Sequence, residues 1–340
     1  MAETVLVTGG TGFVAGWVIV ELLKRGYDVR TTVRDLGKAD AVRAAVRTQV
    51  EPGGRLTFAV ADLTDDAGWD AAVAGCAHVL HVASPLGRGE PTDATLIPPA
   101  RDGTLRVLRA AVAGGVKRVV MTSSTAACAP RLQGPDSFSD ETLWTDLGDP
   151  DGTPYRRSKI VAERAAWDFM AANGGATGFV TVLPSAIFGP VLTADNPGSV
   201  MVVGRLFGGT MPGVPKVGFS VVDVRDLADA HIRAMTTPEA AGQRFIACSE
   251  YLTMAEMARA LRAGLPEPFA SRTPKRTLPS FLVRLAARRD PALRGIVPTL
   301  GRRHAFNSAK AQRLLGWRPR PARETVVETA KRLIEVGAVS

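Results

Sequence analysis

The sequence predicts an α/β fold, a doubly wound parallel sheet with a smaller, mixed α/β lobe at its C-terminal end. Three observations predict it. Short apolar runs rich in β-branched residues, without polar alternation, recur through the first half, as in strands buried on both faces. Stretches with helical apolar spacing lie between them and supply the crossovers that parallel strands require. After residue 183 the rhythm breaks, and 189–218 is rich in Gly and Pro with only small apolar pieces.

Taken in order, 5–7 reads as a strand and 13–25 as a helix with apolar Val14, Trp17, Val18, Val20, Leu22 and Leu23. Further strands are expected at 29–33, 56–60, 79–82, 116–121 and 179–183, with helices at 38–48, 67–75, 97–113 and 156–172 between them. Beyond them, 217–224 reads as a strand, and Asp226 as the cap of a helix running through His231 to Met235. A strand at 244–248 and helices at 254–263 and 326–336 complete the pattern. No internal repeat or low-complexity linker interrupts it.

Hydrophobic residues make up 46% of the 340 and charged residues 22%, enough apolar matter for a core and too much for a disordered chain. The net charge of +9 is unevenly placed. Residues 1–255 carry 24 Lys and Arg against 27 Asp and Glu, whereas 256–340 carry 18 against 6. The basic excess therefore belongs to the last quarter and reads first as a solvated Arg-rich surface. A sharper reading makes it a field that draws an anionic ligand toward a cleft.

Cys76, Cys128 and Cys248 show no paired spacing, and His78, His81, His231 and His304 do not cluster. No disulfide framework and no metal site is expected. The first residues open directly into a strand, without a basic leader. The longest uncharged run, 169–194, contains Asn173-Gly174-Gly175, Pro184 and Gly189-Pro190 and so reads as turn, strand and loop. A soluble, cytoplasmic protein with no membrane partner is expected.

Between the first strand and the first helix lies Thr8-Gly9-Gly10-Thr11-Gly12-Phe13-Val14-Ala15. Gly9 would permit the tight turn, Gly12 the close approach of a pyrophosphate to the helix N-terminus, and Ala15 close helix–strand packing. This is a Rossmann-type dinucleotide loop in the context that such a loop requires. Residues 1–188 are then the dinucleotide-binding domain, to which 221–247 returns, while 189–220 and 248–340 form the substrate-binding lobe. The second strand ends in Arg34 rather than an acid, with Lys38 four residues on, which favours a cofactor bearing a 2′-phosphate, NADPH, over NADH.

Tyr155 and Lys159 stand four apart, on one face of a helix. A phenol with an ordinary pKa of about 10 needs a neighbouring cation to act as an acid–base group near neutrality. The strand at 116–121 runs into Thr122-Ser123-Ser124, and parallel strands present their C-terminal ends to the ligand crevice, so Ser124 is placed to hold a carbonyl oxygen. His81, at the end of another such strand, reads as a core residue, as do His78 and His231. Trp17, Trp69, Trp144, Trp167 and Trp317 read as packing residues.

These motifs resemble the extended short-chain dehydrogenase/reductase family, within the NAD-dependent epimerase/dehydratase superfamily. The similar branch is that of dihydroflavonol reductases, cinnamoyl-CoA reductases and NADPH-dependent aldehyde/ketone reductases. The likeness runs from 7–14 through 32–35, 61–63, 82–85, 103–105, 122–124, 155–159, 184–190 and 222–226 to Leu315-Gly316-Trp317. It implies that Ser124 polarises a substrate carbonyl and that Tyr155 donates the proton. Lys159 would bind the nicotinamide ribose and lower the Tyr155 pKa. It further implies that Gly9, Thr11, Gly12, Phe13 and Val14 form the phosphate loop and that Arg34 and Lys38 take the 2′-phosphate. Asp62 and Leu63 would flank the adenine, Val82, Ala83 and Ser84 would line the ribose and nicotinamide, and the backbone from Pro184 to Ile187 would fix the nicotinamide face.

Three positions depart from relatives of the branch. Ala15-Gly16 replaces the commoner Gly-Ser, as in aldehyde/ketone reductases. The residues before Tyr155 are Asp151-Gly152-Thr153-Pro154, not the signature of cinnamoyl-CoA reductases. Thr125-Ala126 follows Ser124, where nucleotide-sugar dehydratases carry Asp-Glu.

The reading is an NADPH-dependent carbonyl reductase acting on a small or medium hydrophobic aldehyde or ketone. Residues 191–214, with Met201, Val202, Val203, Leu206, Phe207 and Met211, are expected to wall the substrate. The rivals are a nucleotide-sugar epimerase with tightly bound NAD and a non-catalytic NADP(H)-sensing regulator. Neither a nucleic-acid partner nor a metal is expected, and the chain is taken as a monomer or homodimer.

Overall fold

A computed structural model describes residues 2–85, 92–194, 198–289 and 291–339. Its strands are β1 (Thr4–Val7), β2 (Asp28–Val33), β3 (Leu56–Val60), β4 (His78–His81), β5 (Arg118–Thr122), β6 (Ser137–Ser139), β7 (Gly178–Pro184), β8 (Ala186–Phe188), β9 (Gly218–Asp223), β10 (Gln243–Ala247), β11 (Tyr251–Thr253) and β12 (His304–Phe306). Its helices are α1 (Phe13–Lys24), α2 (Ala39–Arg47), α3 (Trp69–Val73), α4 (Asp93–Ala113), α5 (Pro154–Asn173), α6 (Met201–Phe207), α7 (Val224–Thr236), α8 (Met254–Gly264), α9 (Phe269–Arg272), α10 (Ser280–Ala286), α11 (Pro291–Arg294), α12 (Ala309–Leu315) and α13 (Ala322–Glu335).

Seven strands form one parallel sheet in the order β10-β7-β5-β4-β1-β2-β3. The order reverses between β1 and β4, and a crevice opens beyond the strand ends at such a reversal. One sheet face packs on α1, α2 and α7 through Val18, Ile19, Val46, Leu227 and Trp317. The other packs on α3, α4 and α5 through Trp69, Val107, Leu108 and Ala166. This is the expected three-layered, Rossmann-like sheet. It also accounts for the unalternating strands, because β1 and β5 bury Val5, Leu6, Val7, Val119 and Val120 completely.

Helix starts follow local chemistry. The Thr153 hydroxyl accepts from the Arg156 N–H at 3.2 Å, and Pro154 fills the first helical position, so α5 begins just before Tyr155. Thr92 and Thr95 cap α4 reciprocally, so that helix starts at Asp93 and carries Pro98 and Pro99 within it. The sequence pattern had placed its start only at 97, level with the prolines. The expected cap at Asp226 is corrected: the Asp223 carboxylate accepts from the Arg225 N–H at 2.9 Å and starts α7, while Asp226 accepts from the Arg320 N–H at 2.6 Å. Strand β9 ends at Asp223, which fixes the aspartate that lies at the helix entrance.

The remaining elements build a second core from α6, α8, α13, β8, β9 and β11, in which Phe188, Val203, Leu206, Phe207, Leu261, Val326 and Leu333 are buried. The expectation for 191–214 is corrected here. Val203, Leu206 and Phe207 have no exposed surface and belong to this core, so only Met201, Val202 and Met211 of the six named residues remain half-exposed. Residues 195–197 of that segment lie outside the described residues. Among the described residues, no helix is long and apolar enough to cross a membrane.

Candidate active site

The expected site residues gather along one edge of the sheet, where β1, β2, β3, β4, β5 and β7 end. The glycine loop follows β1. Gly9 has φ +77°, and a Cβ there would stand 3.0 Å from the Ala83 Cβ, so glycine is required on both counts. The Gly9 N–H donates to Thr32 Oγ1 at 2.9 Å and the Gly12 N–H to the Gly9 carbonyl at 2.8 Å, closing the turn. Gly12 is the N-cap of α1 and offers no capping side chain, and no acidic residue occupies the first turn. The first turn of α1 therefore has neither a side-chain cap nor an acidic group at its N–H end, which suits an anion there. Phe13 and Val14 pack half-buried beneath, Ala15 is buried, and Thr11 is exposed.

Two residues that sequence reasoning passed over hold this loop. A Cβ on Gly10 would lie 2.5 Å from Thr31 Oγ1, so Gly10 lets the loop pack closely on β2. The Thr8 hydroxyl accepts from the N–H groups of Val82 and Ala83 at 3.0 and 2.9 Å and pairs with His81 Nδ1 at 3.0 Å. The other His81 nitrogen pairs with Thr104 Oγ1 at 3.3 Å, and burial pushes the imidazole pKa down to about 3. His81 is thus a satisfied, neutral core residue that ties the β1 and β4 loops together. The adjacency of Thr8 to the glycines was a visible signal; its partners 74 and 75 residues away were not.

Arg34 and Lys38 are both exposed at the end of β2. The carboxylate of Asp62 accepts from the N–H and hydroxyl of Thr64, both at 2.8 Å. Those bonds and the nearby Arg34 charge hold its pKa below the usual range. The following turn is pinned by Arg106, which donates to the Leu63 carbonyl at 2.9 Å, and by Trp69, whose indole N–H donates to the Asp62 carbonyl at 3.1 Å.

Lys159 is buried to 6% exposure and donates from Nζ to Ser84 Oγ at 2.8 Å. The same ammonium lies 5.7 Å from the centre of the half-buried Tyr155 ring. Ser124 caps the short turn at 125–128, its Oγ accepting from the Ala126 N–H at 3.1 Å. That turn packs on α5 through Ala127, Cys128 and Ile160, and Arg156 reaches back to the Ala129 carbonyl at 3.1 Å. Ser124 is thereby set beside the helix that carries Tyr155 and Lys159. Pro184 ends β7 opposite Ala247, and the Ile187 carbonyl accepts from Ser199 Oγ at 2.5 Å.

The fold and the edge of strands just described define the class, Rossmann-like proteins of the short-chain dehydrogenase/reductase type. Within that class the chain belongs to the NAD dependent epimerase/dehydratase family, whose model matches residues 5–248. It is 39% identical to cinnamoyl-CoA reductase 1 of Oryza sativa over 267 residues, 78% of this chain and 76% of that one. It is 32% identical to ketoreductase azaE of Aspergillus niger over 98% of both chains. Among solved structures it superposes on the yeast methylglyoxal/isovaleraldehyde reductase Gre2 complexed with NADPH. That match has a TM-score of 0.82 and 26% identity, over 99% of this chain and 100% of Gre2.

Proposed function

We propose that the protein is an NADPH-dependent carbonyl reductase that converts an aldehyde or ketone to an alcohol. The observation that carries this reading is the buried Lys159, held by Ser84 at the edge of the sheet with its charge beside the Tyr155 ring. Its relatives support the class, since they are reductases by name and a structural neighbour is an NADPH complex.

The residues present suit the cofactor. The uncapped first turn of α1 suits a pyrophosphate, and the exposed Arg34 and Lys38 beyond β2 suit a 2′-phosphate. Asp62 and Leu63 sit on the turn that would border the adenine, and Val82, Ala83 and Ser84 beside Gly9 would line the ribose. Pro184 to Ile187 would close the nicotinamide side. Bound NADPH would supply the hydride.

The chain's own groups handle the oxygen and the proton. Ser124 Oγ accepts from Ala126, which leaves its own proton available to donate to a carbonyl oxygen. Tyr155 Oη would deliver the proton as charge develops there, with the Lys159 ammonium 5.7 Å from the centre of its ring. Ser84 fixes Lys159 Nζ and so fixes that cation against the ring. Residues 189–220 and 248–340 would contribute the substrate-binding lobe, with Met201, Val202 and Met211 its apolar contacts.

The test is Tyr155→Phe. The variant is expected to bind NADPH with unchanged affinity in a fluorescence titration, while kcat with an aldehyde such as isovaleraldehyde falls by roughly 100-fold or more. Near-normal turnover would sink the mechanism.

A further inference from the structure

Directly behind the proposed reaction site lies a buried ion pair that no step above uses. Glu163 is completely buried on α5, one turn beyond Lys159, and Arg244 on β10 is 8% exposed. Arg244 Nε donates to Glu163 Oε1 at 2.9 Å and Nη2 to Oε2 at 3.3 Å. The guanidinium lies 3.7 Å from the centre of the Trp144 ring. Every acceptor of the carboxylate is in use, because Ser123 Oγ donates to Oε2 at 2.7 Å and Thr181 Oγ1 to Oε1 at 2.8 Å. Paired charges that stay buried cost desolvation, and apolar residues of similar size often serve stability as well, so this pair asks for a further role.

Its partners show one. Ser124 is bracketed in sequence by two groups that end on this pair. On its N-terminal side, Ser123 is held by Glu163. On its C-terminal side, the Ala127 carbonyl accepts from Arg244 Nη2 at 3.3 Å, and the Ala127 N–H closes onto the Ser124 carbonyl at 2.9 Å. The rest of Arg244 grips the Glu141 and Leu143 carbonyls at 2.6 and 3.1 Å. One rigid pair thus joins β5, α5, β7 and β10, and it ties the Ser124 turn to the helix of Tyr155 and Lys159. We infer that Ser123, Glu163 and Arg244 are positioning residues for the reaction, which set the Ser124 hydroxyl against the Tyr155–Lys159 face. A hydrogen-bond donor misplaced by about 1 Å loses much of its effect on a developing charge, which makes such a clamp consequential.

The inference rests on the reductase reading, and the test separates the two. Ser123→Ala and Thr181→Val each remove one hydroxyl bond to the same carboxylate, one beside Ser124 and one away from it. Both are compared with wild type and Ser124→Ala for kcat and KM with isovaleraldehyde, for NADPH affinity by fluorescence titration, and for melting temperature. Ser123→Ala is expected to lower kcat about tenfold with NADPH affinity unchanged, whereas Thr181→Val loses similar thermal stability and keeps its kcat. Equal losses of kcat in Ser123→Ala and Thr181→Val, or none in Ser123→Ala while Ser124→Ala is inactive, would leave the pair a structural one and overturn the inference alone. An active Ser124→Ala would remove the reading on which it stands.

Discussion

Arg34 stands at the end of β2 as an exposed cation, near enough to Asp62 to help lower its pKa. A guanidinium so placed suits the proposed role of a 2′-phosphate ligand, whose contribution would be felt only by the phosphorylated cofactor. Arg34→Gln is therefore expected to raise KM for NADPH about tenfold and leave KM for NADH unchanged. Parallel titrations of the two cofactors by absorbance would check it, and equal changes for both would count against a 2′-phosphate contact. Residue-scale chemistry of this kind is what a sequence displays well. Gly9, Ser124, Tyr155 and Lys159 declare themselves because their meaning depends on neighbours a few positions away. Thr8, Thr104, Glu163 and Arg244 do not, because the partners that give them meaning are distant in sequence: Val82 is 74 residues from Thr8, His81 23 from Thr104, and Arg244 81 from Glu163.

At the level of elements, α4 shapes the Asp62–Leu63 turn that is proposed to border the cofactor. A Cβ on Gly103 would come within 2.7 Å of the Leu63 Cβ and 2.9 Å of the Leu63 carbonyl. The helix must therefore lack a side chain there for the Asp62–Leu63 turn to sit where it does. Gly103→Ala is expected to cost about 1–3 kcal/mol through overpacking, despite the better helix propensity of alanine. It should also weaken NADPH binding by displacing the turn, which denaturant melts and a cofactor titration would report together. The long strands and helices were readable because several periods of pattern identify each. The three-residue strands β6, β8, β11 and β12 were not, since three residues carry no period. The start of α4 was misplaced for a related reason: prolines in its second turn mimic a boundary that the Thr92 cap had already set upstream.

For the whole molecule, acid response and surface charge follow from burial. His231 and His304 are pushed by burial to pKa values of about 4, and His81 to about 3. Their folded values lie below the unfolded value of about 6.5, so unfolding takes up protons between pH 6.5 and 4, and the stability these groups contribute is lost as pH falls through that window. Asp226 works in the opposite sense, because burial raises its carboxyl to about 6, and burial raises Glu141 in the same direction. With three imidazoles against them, the melting temperature is expected to fall from pH 7 to pH 5, with net proton uptake on unfolding. Calorimetry in buffers of different ionisation enthalpy measures that uptake, and proton release at pH 5.5 would contradict it. The basic last quarter proves less of a bare field than its count suggests. Arg302 donates to the carbonyls of Arg131, Leu132 and Pro135, Arg332 to those of Val191 and Leu192, and Arg320 pairs with Asp226. Arg302 and Arg320 thereby fasten the last quarter to the loop at 131–135 and to α7, and Arg332 fastens α13 to the segment after β8.

The β6–β12 pairing has a consequence for the order in which the chain is made. His304, Ala305 and Phe306 pair in parallel with Ser137, Ser139 and the residue between them, and Arg303 donates through its N–H to Asp136 at 2.8 Å. The stretch from 131 to 139, which follows the turn beside Ser124, is held early by Asp146 and Asp149 at Arg131 and Leu132, but β6 within it gains its strand partner only once residues 304–306 have been synthesised. A nascent protein halted before residue 304 is expected to be cut rapidly by protease within 131–139 while its parallel sheet resists. Protease resistance of 131–139 is therefore expected to appear only once residues 304–306 are available to pair, and resistance before that point would contradict it.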